Sequence, residues 1–125
     1  MPAWITVALG GALGSLARYG LGLWAKAAVP SFPIATLAVN VVGGFVMGAL
    51  GAYTLARPEF PTWLRVGLMT GVLGGFTTFS AFSLETLNLW REGAVVAATA
   101  NILLNVFLSL AACGFGMWLA RSTLA

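Results

Sequence analysis

The sequence predicts an all-α membrane protein: one domain of four transmembrane helices, the third broken mid-membrane. Three observations carry the membrane part. Hydrophobic residues make up 60% of the 125 and charged residues 7%, too few for the polar shell of a small soluble domain. Mean hydropathy is +0.97. The apolar residues also fall in long runs separated by short polar turns, as a bilayer requires.

The first span covers about residues 3–25, with Trp4 and Trp24 near its ends, where amphipathic rings sit at the headgroup level. Ala25-Lys26-Ala27 resembles a leader cleavage site. No basic residue precedes the apolar run, however, and Arg18 interrupts it, so the segment reads as a retained helix. A loop with Pro30 and Pro33 leads into the second span, about 34–56, which ends at the polar turn Arg57, Pro58, Glu59 and Pro61. The third covers about 62–90 and closes at Arg91-Glu92-Gly93; the fourth covers about 94–120, with Arg121 just outside. Loops this short imply antiparallel neighbours. Gly10 and Gly14, Gly44 and Gly48, and Gly67, Gly71 and Gly75 are each four apart, a spacing that lets helix backbones approach closely.

The third span is too long for one membrane helix. At about 1.5 Å per residue it would reach roughly 42 Å, against a hydrocarbon core of about 30 Å. Its middle reads Gly74-Gly75-Phe76-Thr77-Thr78-Phe79-Ser80, paired glycines followed by hydroxyl residues, which is a helix stop and then an N-cap signal. The expectation is a break near residues 74–78; the alternative is a tilted, kinked helix with packed glycines. Backbone groups freed by a break inside a membrane need protein, water or an ion to satisfy them. Discontinuous helices near the midplane commonly make ion sites.

Charge excludes several function classes. The net charge of +3 comes from six scattered Lys and Arg with no basic patch, so no nucleic-acid partner is expected. With no His and one Cys, Cys113 in an apolar run, His- or Cys-based metal sites and an internal disulfide are out of reach. Ser80 and Ser83 lack a general base, and no enzyme is expected. The Lys and Arg are nearly balanced between sides: Arg57, Arg65 and Arg121 on one, Lys26 and Arg91 with Arg18 leaning to them on the other. That balance fits insertion in both orientations and pairing about an in-plane two-fold axis. Flanking residues that fix one orientation are the alternative.

Polar residues within the spans are few, so each carries weight. Asn40 lies mid-span in the second helix. Asn101, Asn105 and Ser109 are four apart and share one face of the fourth. Such a stripe is either interhelical glue or a track that replaces water around a permeating species. Phe79 and Phe82 share a face after the break; they are core packing, or ring edges that meet an anion. Glu85 is the lone acid of the spans, whereas a cation transporter usually carries an embedded carboxylate pair. Neutral donors, a ring edge and Arg18 point to an anion.

The block Gly71-Val72-Leu73-Gly74-Gly75-Phe76-Thr77-Thr78-Phe79-Ser80-Ala81-Phe82-Ser83, followed by Glu85, resembles the dual-topology fluoride channels, the Fluc or CrcB family. The likeness extends to Gly10-Gly11, Gly14 and Arg18-Tyr19, to Asn40-Val41-Val42-Gly43, and to the Asn101, Asn105, Ser109 series. It implies a passive fluoride channel in the cell inner membrane, an antiparallel homodimer with two pathways and a structural Na+ at its centre. By position, Asn40, Phe79, Phe82, Asn101, Asn105 and Ser109 would line the pathway. Backbone carbonyls of Gly74 and Thr77 would hold the sodium, with Arg18, Thr78, Ser80, Ser83 and Glu85 in support. Some members carry Tyr or Ser where this chain has Asn101 and Asn105; the donor role survives the change. Fluoride is small and tightly hydrated, so only close donors can replace its water. The competing classes are a small dual-topology drug/proton exporter, which carries an embedded Glu in its first span where this chain has Arg18, and a non-conducting membrane assembly protein.

Overall fold

The computed structural model describes residues 1–124, and among them every regular element is helical. Helix α1 spans Ala3–Ala28 and α2 spans Ile34–Leu55. The third rod is composite. It opens with α3 (Thr62–Val66), widens into a π-helical segment (Gly67–Leu73), tightens into α4 (Gly74–Phe76) and, after a break, continues as α5 (Phe79–Arg91). Helix α6 spans Val95–Leu124. Pro2, Pro33 and Pro61 immediately precede α1, α2 and α3, where a missing N–H costs no helical hydrogen bond. Gly93, at φ 82°, makes the turn into α6, a backbone state that glycine enters without strain.

The break does not fall on the glycine pair. Gly74 and Gly75 stay helical, and the interruption is Thr77–Thr78, both extended (φ −87°, ψ 157° and φ −153°, ψ 125°). The Thr77 N–H still closes the helix on Leu73 O at 3.0 Å, and its Oγ1 donates to the same oxygen at 2.9 Å. Thr78 then caps α5, its Oγ1 accepting from Ala81 N at 3.1 Å, a cap of the kind typically worth about 1 kcal/mol.

Among the described residues, three rods are long and apolar enough to cross a membrane: Ile34–Leu55, Thr62–Arg91 and Val95–Leu124. Helix α1 is 26 residues long but less apolar, since it carries Ser15, Arg18, Tyr19 and Lys26. Burial is inverted relative to a water-soluble protein. Leu13, Leu16, Trp24, Phe107, Leu110 and Trp118 face outward, while Thr36, Thr86, Asn101 and Asn105 are buried. Outward apolar side chains and inward polar ones suit a lipid solvent, and the chain is a multi-pass membrane protein.

Two glycine seams set the packing. Gly10 and Gly14 of α1 meet the π segment, and a Cβ at Gly14 would collide with Val72 O. Helix α2 packs along α6, where a Cβ at Gly48 would collide with Cys113 O and one at Gly116 with Phe45 O. In each case the obstacle is backbone, which cannot step aside as a flexible side chain can. Gly67 and Gly71 of the π segment and Gly75 of α4 all face α1, with Thr6 and Gly11 O among their nearest neighbours.

Candidate functional site

A cavity of about 430 Å³ opens beside the break. Helix α2 contributes Asn40, Gly43, Gly44 and Met47, the broken segment Thr77 and Thr78, α5 Phe79 and Phe82, and α6 Asn105, Val106, Ser109 and Leu110. No lining side chain is ionisable. The Phe79 and Phe82 rings lie 5.3 Å apart at 55°; Phe79 is 77% exposed and Phe82 7%, so the pair leads from the surface inward. Ser109 Oγ is buried without a hydrogen-bond partner. An unpaired buried hydroxyl typically costs about 1–3 kcal/mol, so this one marks a place where a ligand or water would be welcome.

A chain of amides runs inward from the cavity wall. Asn40 Nδ2 donates to Thr78 O at 3.0 Å and to Asn105 Oδ1 at 2.9 Å, while the Thr78 N–H donates to Asn40 Oδ1 at 2.9 Å. Asn105 Nδ2 donates to Asn101 O at 2.9 Å and to Asn101 Oδ1 at 3.0 Å. Asn101 Nδ2 donates to Thr86 Oγ1 at 2.9 Å, and that hydroxyl donates to Phe82 O at 2.7 Å. One asparagine thus holds both polar groups of a residue in the break, supplying partners that a continuous helix would have supplied.

Five of the six pathway candidates, Asn40, Phe79, Phe82, Asn105 and Ser109, meet at this cavity. Asn101 is fully buried behind Asn105 and does not line it. Of the supporting residues, Thr78 lines the cavity, and its Oγ1 lies 3.3 Å from Ser80 Oγ on the exposed side. Ser83 Oγ donates back to Phe79 O at 2.8 Å. Arg18 Nε donates to Gly75 O at 3.1 Å, satisfying a carbonyl next to the break. Glu85 lies elsewhere: with Arg18 it lines a second cavity of about 850 Å³ between α1, the loop before α2 and α5. There Glu85 Oε1 accepts from Thr36 Oγ1 at 2.8 Å, while Oε2 is buried without a partner. Gly74 is exposed, and its carbonyl has lost its i+4 donor because the Thr78 N–H turns to Asn40.

Thr86 and Thr36 were not singled out from the sequence. Helical spacing was the available signal: Thr86 is four residues after Phe82 and Thr36 four before Asn40.

The family profile described as "CrcB-like protein, Camphor Resistance (CrcB)" matches residues 5–117. The chain belongs to the CrcB family. A protein of Paracoccus denitrificans named fluoride-specific ion channel FluC is 47% identical over 121 residues, covering 97% of this chain and 96% of its own. Its namesake from Syntrophotalea carbinolica is 46% identical over 118 residues (94% and 96%). A third, from Rhizobium etli strain CIAT 652, is 49% identical over 117 residues (93% and 94%). The CrcB match runs through all four helical rods and so includes every residue of the cavity and the amide chain. Members of this family are channels, not enzymes.

Proposed function

We propose that the chain is a passive fluoride channel that lets the ion leave the cell down its electrochemical gradient. The observation that carries this is the cavity beside the break, with an unpaired buried hydroxyl, a ring pair leading inward and no ionisable side chain. Proton-coupled export of a cation needs a titratable acid in the binding site, and this site has none. The relatives named as fluoride-specific channels agree in kind.

Fluoride surrenders its water only to donors at close range. The Phe79 and Phe82 rings present electropositive edges at the mouth, and the Ser109 hydroxyl supplies the first strong donor. Asn40 and Asn105 hold their N–H groups against amide and backbone oxygens; fluoride, the better acceptor, takes one of these in exchange as it passes. Chloride is larger and gains less from the same donors, so the narrow site rejects it. Fluoride enters a cell as the neutral acid when the surroundings are acidic and is trapped there as the ion; a leak selective for the ion empties the cell without an energy source.

In this reading α1 is the fourth transmembrane span, its Arg18 kept inside the protein by Gly75 O. The functional unit is an antiparallel homodimer in the cell inner membrane, inserted in both orientations, with one pathway per subunit. At its centre the backbone carbonyls of Gly74 and Thr77 would hold a sodium ion. The donor set fits a hard monovalent cation: Gly74 is an exposed residue whose carbonyl lacks its helical donor, Thr77 is extended, and no cluster of acidic, His or Cys side chains exists among the described residues to serve a harder-charged metal. When bound, the sodium supplies positive charge and partners for backbone oxygens that lipid cannot satisfy.

Ion flux from liposomes loaded with fluoride tests the proposal. Purified protein should release fluoride with no proton gradient and exclude chloride by several orders of magnitude. Comparable chloride flux, or flux that requires a proton gradient, would overturn it.

A further inference from the structure

We propose that Thr86, Asn101 and Asn105 are positioning residues for the sodium site, acting through Asn40. The proposal rests on the channel reading above and on its sodium ion. It begins with a matter of direction. Phe82 O can only accept, so the Thr86 hydroxyl spends its single proton there and can only accept from Asn101. Asn101 must therefore present Nδ2 to Thr86, which leaves its Oδ1 facing Asn105. Asn105 must then present Nδ2, leaving Oδ1 for Asn40, and Asn40 must present Nδ2 in turn. Each amide orientation follows from the one before, and none is free to flip without orphaning a buried polar atom.

The far end of the chain is backbone. Asn40 Oδ1 accepts the Thr78 N–H, and that N–H shares one peptide unit with the Thr77 carbonyl. The peptide is trans, so its C=O points opposite to its N–H. Holding the N–H against α2 therefore aims the Thr77 carbonyl away from α2. The same asparagine fixes the next peptide through Thr78 O. The Thr78 N–H is also the donor that the Gly74 carbonyl gives up. One side chain thereby frees one proposed sodium ligand and aims the other, and three buried residues lock that side chain in the one orientation that the Thr78 N–H and C=O both require. Fluoride pathway and cation site are joined through a single amide.

The test reads sodium binding apart from conduction. Thermal unfolding of the purified dimer is followed as sodium replaces N-methylglucamine at constant ionic strength, for wild type, Thr86→Val, Asn105→Leu and Thr86→Ser; fluoride flux is measured in parallel. Thr86→Val and Asn105→Leu should need roughly tenfold more sodium for half of the stabilising shift, the equivalent of one interior hydrogen bond. Thr86→Ser keeps the hydroxyl and should titrate as wild type. Thr86→Val changes one group at nearly constant volume, so it carries the test if Asn105→Leu fails to fold. Wild-type sodium titration in the folded apolar variants overturns the proposal, even if their flux falls, and leaves the channel reading standing. A wild-type protein that conducts fluoride but is indifferent to sodium overturns the proposal together with the sodium site. A wild-type protein stabilised by sodium but without fluoride flux overturns the channel reading instead.

Discussion

Asn40 holds Thr78 at both ends of its backbone: Nδ2 lies 3.0 Å from the carbonyl and Oδ1 2.9 Å from the amide nitrogen. A carboxylate at that position could keep the second bond but not the first. Asn40→Asp is therefore expected to abolish fluoride flux for two reasons. It sets two oxygens facing each other at Thr78 O, and it places negative charge on the anion's route where screening is poor. Flux in liposomes, with size-exclusion chromatography to establish a dimer, checks it; retained conduction in an assembled protein would take Asn40 off the pathway.

Ser109 separates conduction from stability. Its hydroxyl is buried and unpaired, so Ser109→Ala should leave unfolding unchanged or raise stability by about 1 kcal/mol. Fluoride flux should nevertheless fall roughly tenfold or more, the equivalent of one lost donor. Unaltered flux would make the hydroxyl a packing feature.

Gly74→Val tests for a second copy of the chain. Within one chain the nearest atom to an added Cβ is Met69 O at 3.7 Å, an ordinary contact, so Gly74→Val costs little there. If two copies meet at this point, the same change should abolish dimerisation and flux, while Thr77→Ser, which leaves the backbone ligand in place, should be mild. Cross-linking and flux measured on the two variants decide the matter; an assembled, conducting Gly74→Val protein would remove Gly74 from the interface.

Orientation can be forced. Extra Lys residues in the turn around Arg57–Pro61, or in the loop around Ser31, should bias insertion oppositely. Each biased protein alone should be inactive, and co-expression of the two should restore fluoride resistance and flux. Full activity from one orientation would contradict the antiparallel dimer.

The all-helical, membrane-embedded class was legible because it rests on summed quantities, hydropathy and span length, which need no tertiary knowledge. The interruption of the third rod was legible from excess length, and its place to within residues 74–78, with the hydroxyl cap on Thr78; which of those residues leave the helix was not. The glycines that suggested a stop remain helical, Gly75 packed on α1, and the extended residues are Thr77 and Thr78, with Thr78 held by Asn40 from another helix. No local propensity announces the π segment Gly67–Leu73. The one-face spacing of Asn101, Asn105 and Ser109 reads directly from the period of a helix, yet their different situations do not. Asn101 is spent on Thr86, Asn105 joins two helices, and Ser109 is left unpaired, because those outcomes depend on what α2 and α5 bring opposite.

At Gly10 and Gly14, where α1 meets the π segment, and at Gly48 and Gly116, where α2 meets α6, backbone rests on backbone. Such joints have no clearance. A machine that alternates its access must slide or rock one part over another, and these rods would have to climb over carbonyl oxygens to do so. The moving parts left are rings, hydroxyl rotors and the ion itself, whose excursions are short and fast. On the channel reading proposed above, the fold is a fixed conduit, its throughput set by how quickly an ion trades one donor for the next.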